Sequence, residues 1–111
     1  MKIFNEDDKQ VSDMIDVISN HYGKDHQLDI TIEECSELIK SISKYKRRSE
    51  YDEDMKIIFK GNMIEELADV YITIRQLCHL YDCEDAVSMI VQAKLKRQIY
   101  RMKNQSDEYE E

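Results

Sequence analysis

Glu33-Glu34-Cys35-Ser36-Glu37-Leu38-Ile39 and Glu65-Glu66-Leu67-Ala68-Asp69-Val70-Tyr71 are the same phrase written twice. Each is two carboxylates, an apolar residue, a small residue, a third carboxylate, then two residues for a core; the parallel runs on to Ile42 and Ile74. Residues three apart are about 60° apart around an α-helix, so Glu34 and Glu37 share a face, as do Glu66 and Asp69. Each pair begins at the edge of an apolar stripe. If the two stripes pack together, the pairs face each other across a groove. Four converging carboxylates repel one another strongly unless cations lie among them. Hard oxygen donors of this kind suit Mg²⁺, with Mn²⁺ a substitute.

The phrase sits in a chain built for helices. It has 111 residues, no proline and two glycines, which disfavours β architectures with many tight turns. Its length fits one domain. Apolar spacing predicts four helices. The first runs from about Glu6 to His21, with Val11, Met14, Ile15 and Ile18 on one face and Gly23 as its stop. The second runs from about Leu28 to Lys46, with Cys35, Leu38, Ile39 and Ile42 as its buried stripe. Residues 47–61 are polar and break the pattern, with Met55, Ile58 and Phe59 able to form a short capping helix. Asn62 reads as the N-cap of a third helix ending near Tyr81, whose stripe is Leu67, Tyr71, Ile74 and Cys78. The fourth runs from Glu84 to about Lys103. Together these predict an all-α, four-helix-bundle-like domain over residues 1–103, followed by an acidic, disordered tail over 104–111. The third helix is apolar beyond its main stripe, at Val70, Ile72, Leu77 and Leu80, which points to a homo-oligomer, a dimer or tetramer.

Net charge narrows the function. With 24 acidic against 16 basic side chains the formal charge is −8, which repels phosphate backbones and argues against nonspecific nucleic-acid binding. A phosphorylated substrate remains open where metal cations intervene. No apolar run is long enough for a membrane span, and the first eight residues lack the apolar segment of a signal peptide, so a cytoplasmic location is expected. The three cysteines, 35, 78 and 83, fit reduced thiols there. A di-iron bundle would need Glu-x-x-His pairs, and none of His21, His26 and His79 stands three residues after a glutamate.

The fourth helix carries the opposite charge. Its apolar face at Val87, Ile90 and Val91 would continue near positions 94, 97, 98 and 101, where the sequence has Lys94, Arg97, Gln98 and Arg101. A polyphosphate held by metals on the acidic helices would need such cations for its remaining oxygens. Lysine and arginine are also favoured near any helix C-terminus by the macrodipole. The remaining candidates are weaker. His26 and Gln27 fall in the expected loop before the acidic helix, and Cys35 and Cys78 read as small core residues.

With these residues in view, the chain resembles the MazG-like all-α nucleoside triphosphate pyrophosphohydrolases. Their signature is E-x-x-E, a variable spacer, then E-x-x-D. Here it reads Glu34-Cys35-Ser36-Glu37, a spacer from Leu38 to Glu65, then Glu66-Leu67-Ala68-Asp69. Gln27-Leu28 and Lys94-Leu95-Lys96-Arg97-Gln98 extend the likeness, which covers about residues 10–103. The resemblance implies a dimerising helical bundle and Mg²⁺-dependent hydrolysis between the α- and β-phosphates of a nucleoside triphosphate. It implies Glu34, Glu37, Glu66 and Asp69 as metal ligands, and Lys94, Arg97 and, as a helper, Arg101 as phosphate contacts. A carboxylate not fully used in coordination, among Glu34, Glu37 and the adjacent Glu33 and Glu65, would serve the attacking water. The role implied is clearing nucleotides from the pool. Alternatives are a dUTPase-like or phosphoribosyl-nucleotide substrate on the same fold, or a non-catalytic helical module with an acidic binding face.

Overall fold

The computed structural model describes residues 9–105. Four α-helices account for nearly all of them, with no strand among the described residues: α1 (Lys9–Tyr22), α2 (Lys24–Lys46), α3 (Glu53–Leu80) and α4 (Glu84–Lys103). A single 3₁₀ turn, Arg48–Glu50, lies between α2 and α3. The described residues fall into two compact units, one ending at Tyr81 and the other beginning at Asp82. No described helix is long and apolar enough to cross a membrane. The expected start of the first helix at Glu6, and the tail beyond Gln105, lie outside the described residues.

Gly23 ends α1 as its letter predicts, and it also begins α2. Its φ of 85° is a conformation that a Cβ disfavours. In that conformation its N–H donates to Ser19 O at 2.9 Å while its carbonyl accepts from the Gln27 N–H at 3.1 Å. One residue therefore closes one helix and opens the next. The second helix thus begins at Lys24, four residues before the expected Leu28. His26 and Gln27 lie in its first turns and not in a loop: His26 stacks on Tyr22 (4.5 Å between rings) and Gln27 is buried.

The larger correction concerns α3. It starts at Glu53, and Gly61 and Asn62 lie inside it, so Asn62 is no N-cap. The cap is Asp52, whose Oδ1 accepts from the Met55 N–H at 2.9 Å. Glu53 and Asp54 add negative charge to the first turn, where the helix dipole favours it. Burial of Phe59, which meets Tyr51 edge-on at 4.9 Å, outweighs the roughly 1 kcal/mol that a mid-helix glycine costs. The short capping helix expected at 55–59 is the first part of α3.

In the first unit α2 and α3 pack most extensively, with α1 laid against both. The short connection over 47–52 turns them antiparallel. Their contact follows a heptad. On α2 the buried or half-buried positions include 27, 31, 34, 38, 41 and 45, and on α3 they include 59, 63, 66, 70, 73, 77 and 80. Both runs alternate steps of four and three, the spacing of a helix–helix seam. This seam stands one residue before the expected apolar stripes, at 34 and 66 where those stripes had 35 and 67. In the isolated chain Ile39 is 66% exposed, Leu67 49% and Ile74 47%.

Two sides of the hairpin follow from that register. In an antiparallel pair, residues just after the seam position on one helix share an edge with their counterparts on the other. Cys35 and Ile42 therefore share an edge with Leu67 and Ile74, and this apolar edge is only partly covered. Glu37 and Asp69, three residues after Glu34 and Glu66, stand on the opposite edge.

The second unit is α4. It occupies Glu84–Lys103 as expected, with Glu84 and Asp85 in its first turn and Arg101 and Lys103 in its last. Asn104 follows it, with its side-chain amide donating to Tyr100 O at 2.8 Å.

Candidate metal centre

Glu34 and Glu66 owe their placement to the seam. A register centred on this pair sets Gln27 level with Thr73 and Ser41 level with Phe59, and all four of those residues are buried. Small or hydroxylic side chains there return their hydrogen bonds to their own helix: Ser41 Oγ to Leu38 O at 3.1 Å, Thr73 Oγ1 to Val70 O at 2.8 Å. The two helices thus pack closely without an apolar layer at every level. Between these levels two glutamates point into the contact.

One carboxylate oxygen from each of Glu34, Glu66 and Asp69 lies within 4.8 Å of the others. Glu34 and Glu66 are half-buried and Asp69 is exposed, so the cluster opens on the edge that Asp69 occupies. Glu66 Oε2 is buried with no hydrogen-bond partner. A buried carboxylate oxygen left without a partner forfeits its hydration without replacement. Glu34 shows the same stress. Partial burial, then the charges of Asp69, Glu66 and Glu33, then a hydrogen bond with Asp69 hold its carboxyl above the ordinary carboxylate value. The cluster therefore retains a proton more readily than an isolated glutamate does.

Three hard oxygen donors, one of them orphaned in the seam, fit a divalent cation. Such an ion would satisfy Glu66 Oε2 and relieve the repulsion on Glu34 together. The geometry brings together three of the four expected ligands. Glu37 does not join them: its Oε1 lies 3.5 Å from Lys40 Nζ, with both side chains largely in solvent. Glu33 and Glu65 are exposed on their helices, next to the cluster in sequence. Ser36 and Ala68 are exposed too, and not beside a packed stripe. Lys94, Arg97 and Arg101 lie on α4 in the second unit, all exposed.

The heptad itself was the signal for which carboxylates go inward. Phe59-Met63-Glu66-Val70-Thr73-Leu77-Leu80 can be read from the letters once a threonine and a glutamate are admitted to the seam. Counting only apolar residues selects the neighbouring stripe instead.

A family model described as the MazG nucleotide pyrophosphohydrolase domain matches residues 23–102, most of the chain and both acidic phrases. The chain belongs to that family. Comparison with curated proteins and with solved structures gave no match.

Proposed function

We propose that this protein is a Mg²⁺-dependent nucleotide pyrophosphohydrolase that converts (d)NTPs to (d)NMPs and pyrophosphate. The observation that carries this reading is the buried, partnerless Glu66 Oε2 beside Glu34 and Asp69, in a chain of the MazG family. Glu34, Glu66 and Asp69 would hold the ion, with Glu37 completing the set from the same edge as Asp69. A bound Mg²⁺ supplies charge neutralisation of the triphosphate and a more acidic water. Glu33, exposed one residue before Glu34, would take a proton from the attacking water, as would whichever of Glu34 and Glu37 is not fully engaged. Lys94, Arg97 and Arg101, spaced along α4, would contact phosphate oxygens of the substrate.

Two further parts of the reading rest on other observations. The half-exposed apolar edge formed by Cys35, Ile42, Leu67 and Ile74 supports a homo-oligomer, since a second copy of the chain laid on that edge would cover it. The half-buried cysteine thiols 35, 78 and 83 fit a reducing compartment, in keeping with a cytoplasmic role in nucleotide-pool sanitising.

Pyrophosphate release from a panel of NTPs and dNTPs, including dUTP, with Mg²⁺ or with chelator, tests the reaction. Metal-dependent release is expected, and the best substrate separates a broad role from a dUTPase-like one. A folded protein that hydrolyses none of them would shift the reading to a non-catalytic acidic module.

A further inference from the structure

Lys40 sits one turn beyond Glu37 on α2, and the two form the only ion pair described for either of them. Glu37 shares the edge of the hairpin with Asp69, yet its carboxylate is turned to a lysine while Glu34, Glu66 and Asp69 gather. We infer that Lys40 is a positioning residue. Its ammonium takes the place of a cation for Glu37 in the metal-free protein and must release that carboxylate when a divalent ion loads. This rests on the metal reading of the cluster given above.

The physical argument is one of exchange. Four carboxylates on one groove are tolerable only with positive charge nearby. With Lys40 engaging the outermost of them, the metal-free groove carries three mutually close carboxylates. The Lys40–Glu37 pair is weak by construction. Its side chains are 69% and 47% exposed, and its 3.5 Å separation is long for a charge-assisted bond. A weak exposed pair can exchange partners at little cost, whereas a buried pair could not. Lys40 therefore sets the affinity of the site without touching the ion.

The test is Mn²⁺ binding to the full chain without nucleotide, read by electron paramagnetic resonance of free Mn²⁺. The set is wild type, Lys40→Met, Lys40→Arg, Glu37→Gln and the Glu37→Gln/Lys40→Met double variant. Exchange predicts that Lys40→Met tightens Mn²⁺ binding roughly threefold, within the range an exposed ion pair supplies. Lys40→Arg, which keeps a cation on Glu37, should bind as wild type does. In the Glu37→Gln background the Lys40→Met effect should vanish, because no carboxylate remains to be released.

Equal affinity of wild type and Lys40→Met overturns the inference while leaving the metal site standing. The same tightening in both backgrounds also overturns it, since Lys40 would then act only as a distant charge. Absence of Mn²⁺ binding in the wild type removes the inference and the metal reading together.

Discussion

His79 of α3 reaches Asp16 of α1, Nδ1 to Oδ1 at 3.2 Å, and its Nε2 lies 2.9 Å from Oδ1 of Asn20 one turn further along α1. These contacts join residues far apart in sequence, whereas the hydrogen bonds of Ser19, Ser41 and Thr73 return to their own helices. The buried residues of α1 are Ile15 and Ser19.

His79→Ala is therefore expected to lower stability by about 1 kcal/mol, the net worth of a hydrogen-bonded contact. Urea denaturation measures the loss. Amide exchange should accelerate in α1 well before it does in the α2/α3 seam. Uniform acceleration over all three helices would show that α1 is not separately fastened.

Glu66→Met should have opposite effects with and without metal. Removing a buried carboxylate that lacks a partner raises the melting temperature in chelator. The same change abolishes the stabilisation by Mg²⁺. Pyrophosphate release should fall by more than about 100-fold, since even the supporting partners of metal ligands are worth 10–100-fold. Differential scanning fluorimetry with and without Mg²⁺ reads the first two effects. A variant less stable than wild type in chelator would mean that Glu66 is held by contacts the seam geometry does not reveal.

The raised carboxyl of Glu34 sets a pH dependence. The metal-free folded chain holds this proton more tightly than the unfolded chain does. Its contribution to stability is complete below the unfolded value and is lost as pH rises through the higher folded one. Metal binding requires the deprotonated cluster, so the melting shift produced by Mg²⁺ should grow from mildly acid to neutral pH. Glu34→Gln should flatten the metal-free profile. An Mg²⁺ shift of equal size at pH 5 and pH 7.5 would refute this.

Lys94→Gln and Arg97→Gln are expected to raise KM for the triphosphate at saturating Mg²⁺ without altering Mn²⁺ binding in the absence of nucleotide. Each removes a charge-assisted phosphate contact, worth about 1.5–3 kcal/mol, or roughly 10- to 100-fold in kcat/KM. Steady-state kinetics beside metal titration separates the two. Weakened Mn²⁺ binding in these variants would place the basic residues in a structural role.

Much of this could be read from the letters, and the failures have physical causes. Gly23 announced its turn because a positive φ leaves few alternatives to glycine. The doubled phrase announced its carboxylates because three-residue spacing survives any choice of packing face. The start of α3 was hidden by Gly61 and Asn62, whose local preferences are outweighed by Phe59 burial and the Asp52 cap. The seam was hidden because hydrophobic letters mark what avoids water, not which surface meets which. Gln27, Ser41 and Thr73 are buried yet count against a core in any apolar tally. That Glu37 turns to Lys40 was legible only as one of several i,i+3 options on α2.

The seam and the apolar stripe lie one residue apart on both helices, about 100° of rotation. Acidic and apolar surfaces of the hairpin are therefore neighbours and not rivals: Glu34 and Glu66 occupy the contact itself, while Cys35, Ile42, Leu67 and Ile74 line the edge beside it. A surface that invites a neighbour thus runs alongside the carboxylates without taking their place.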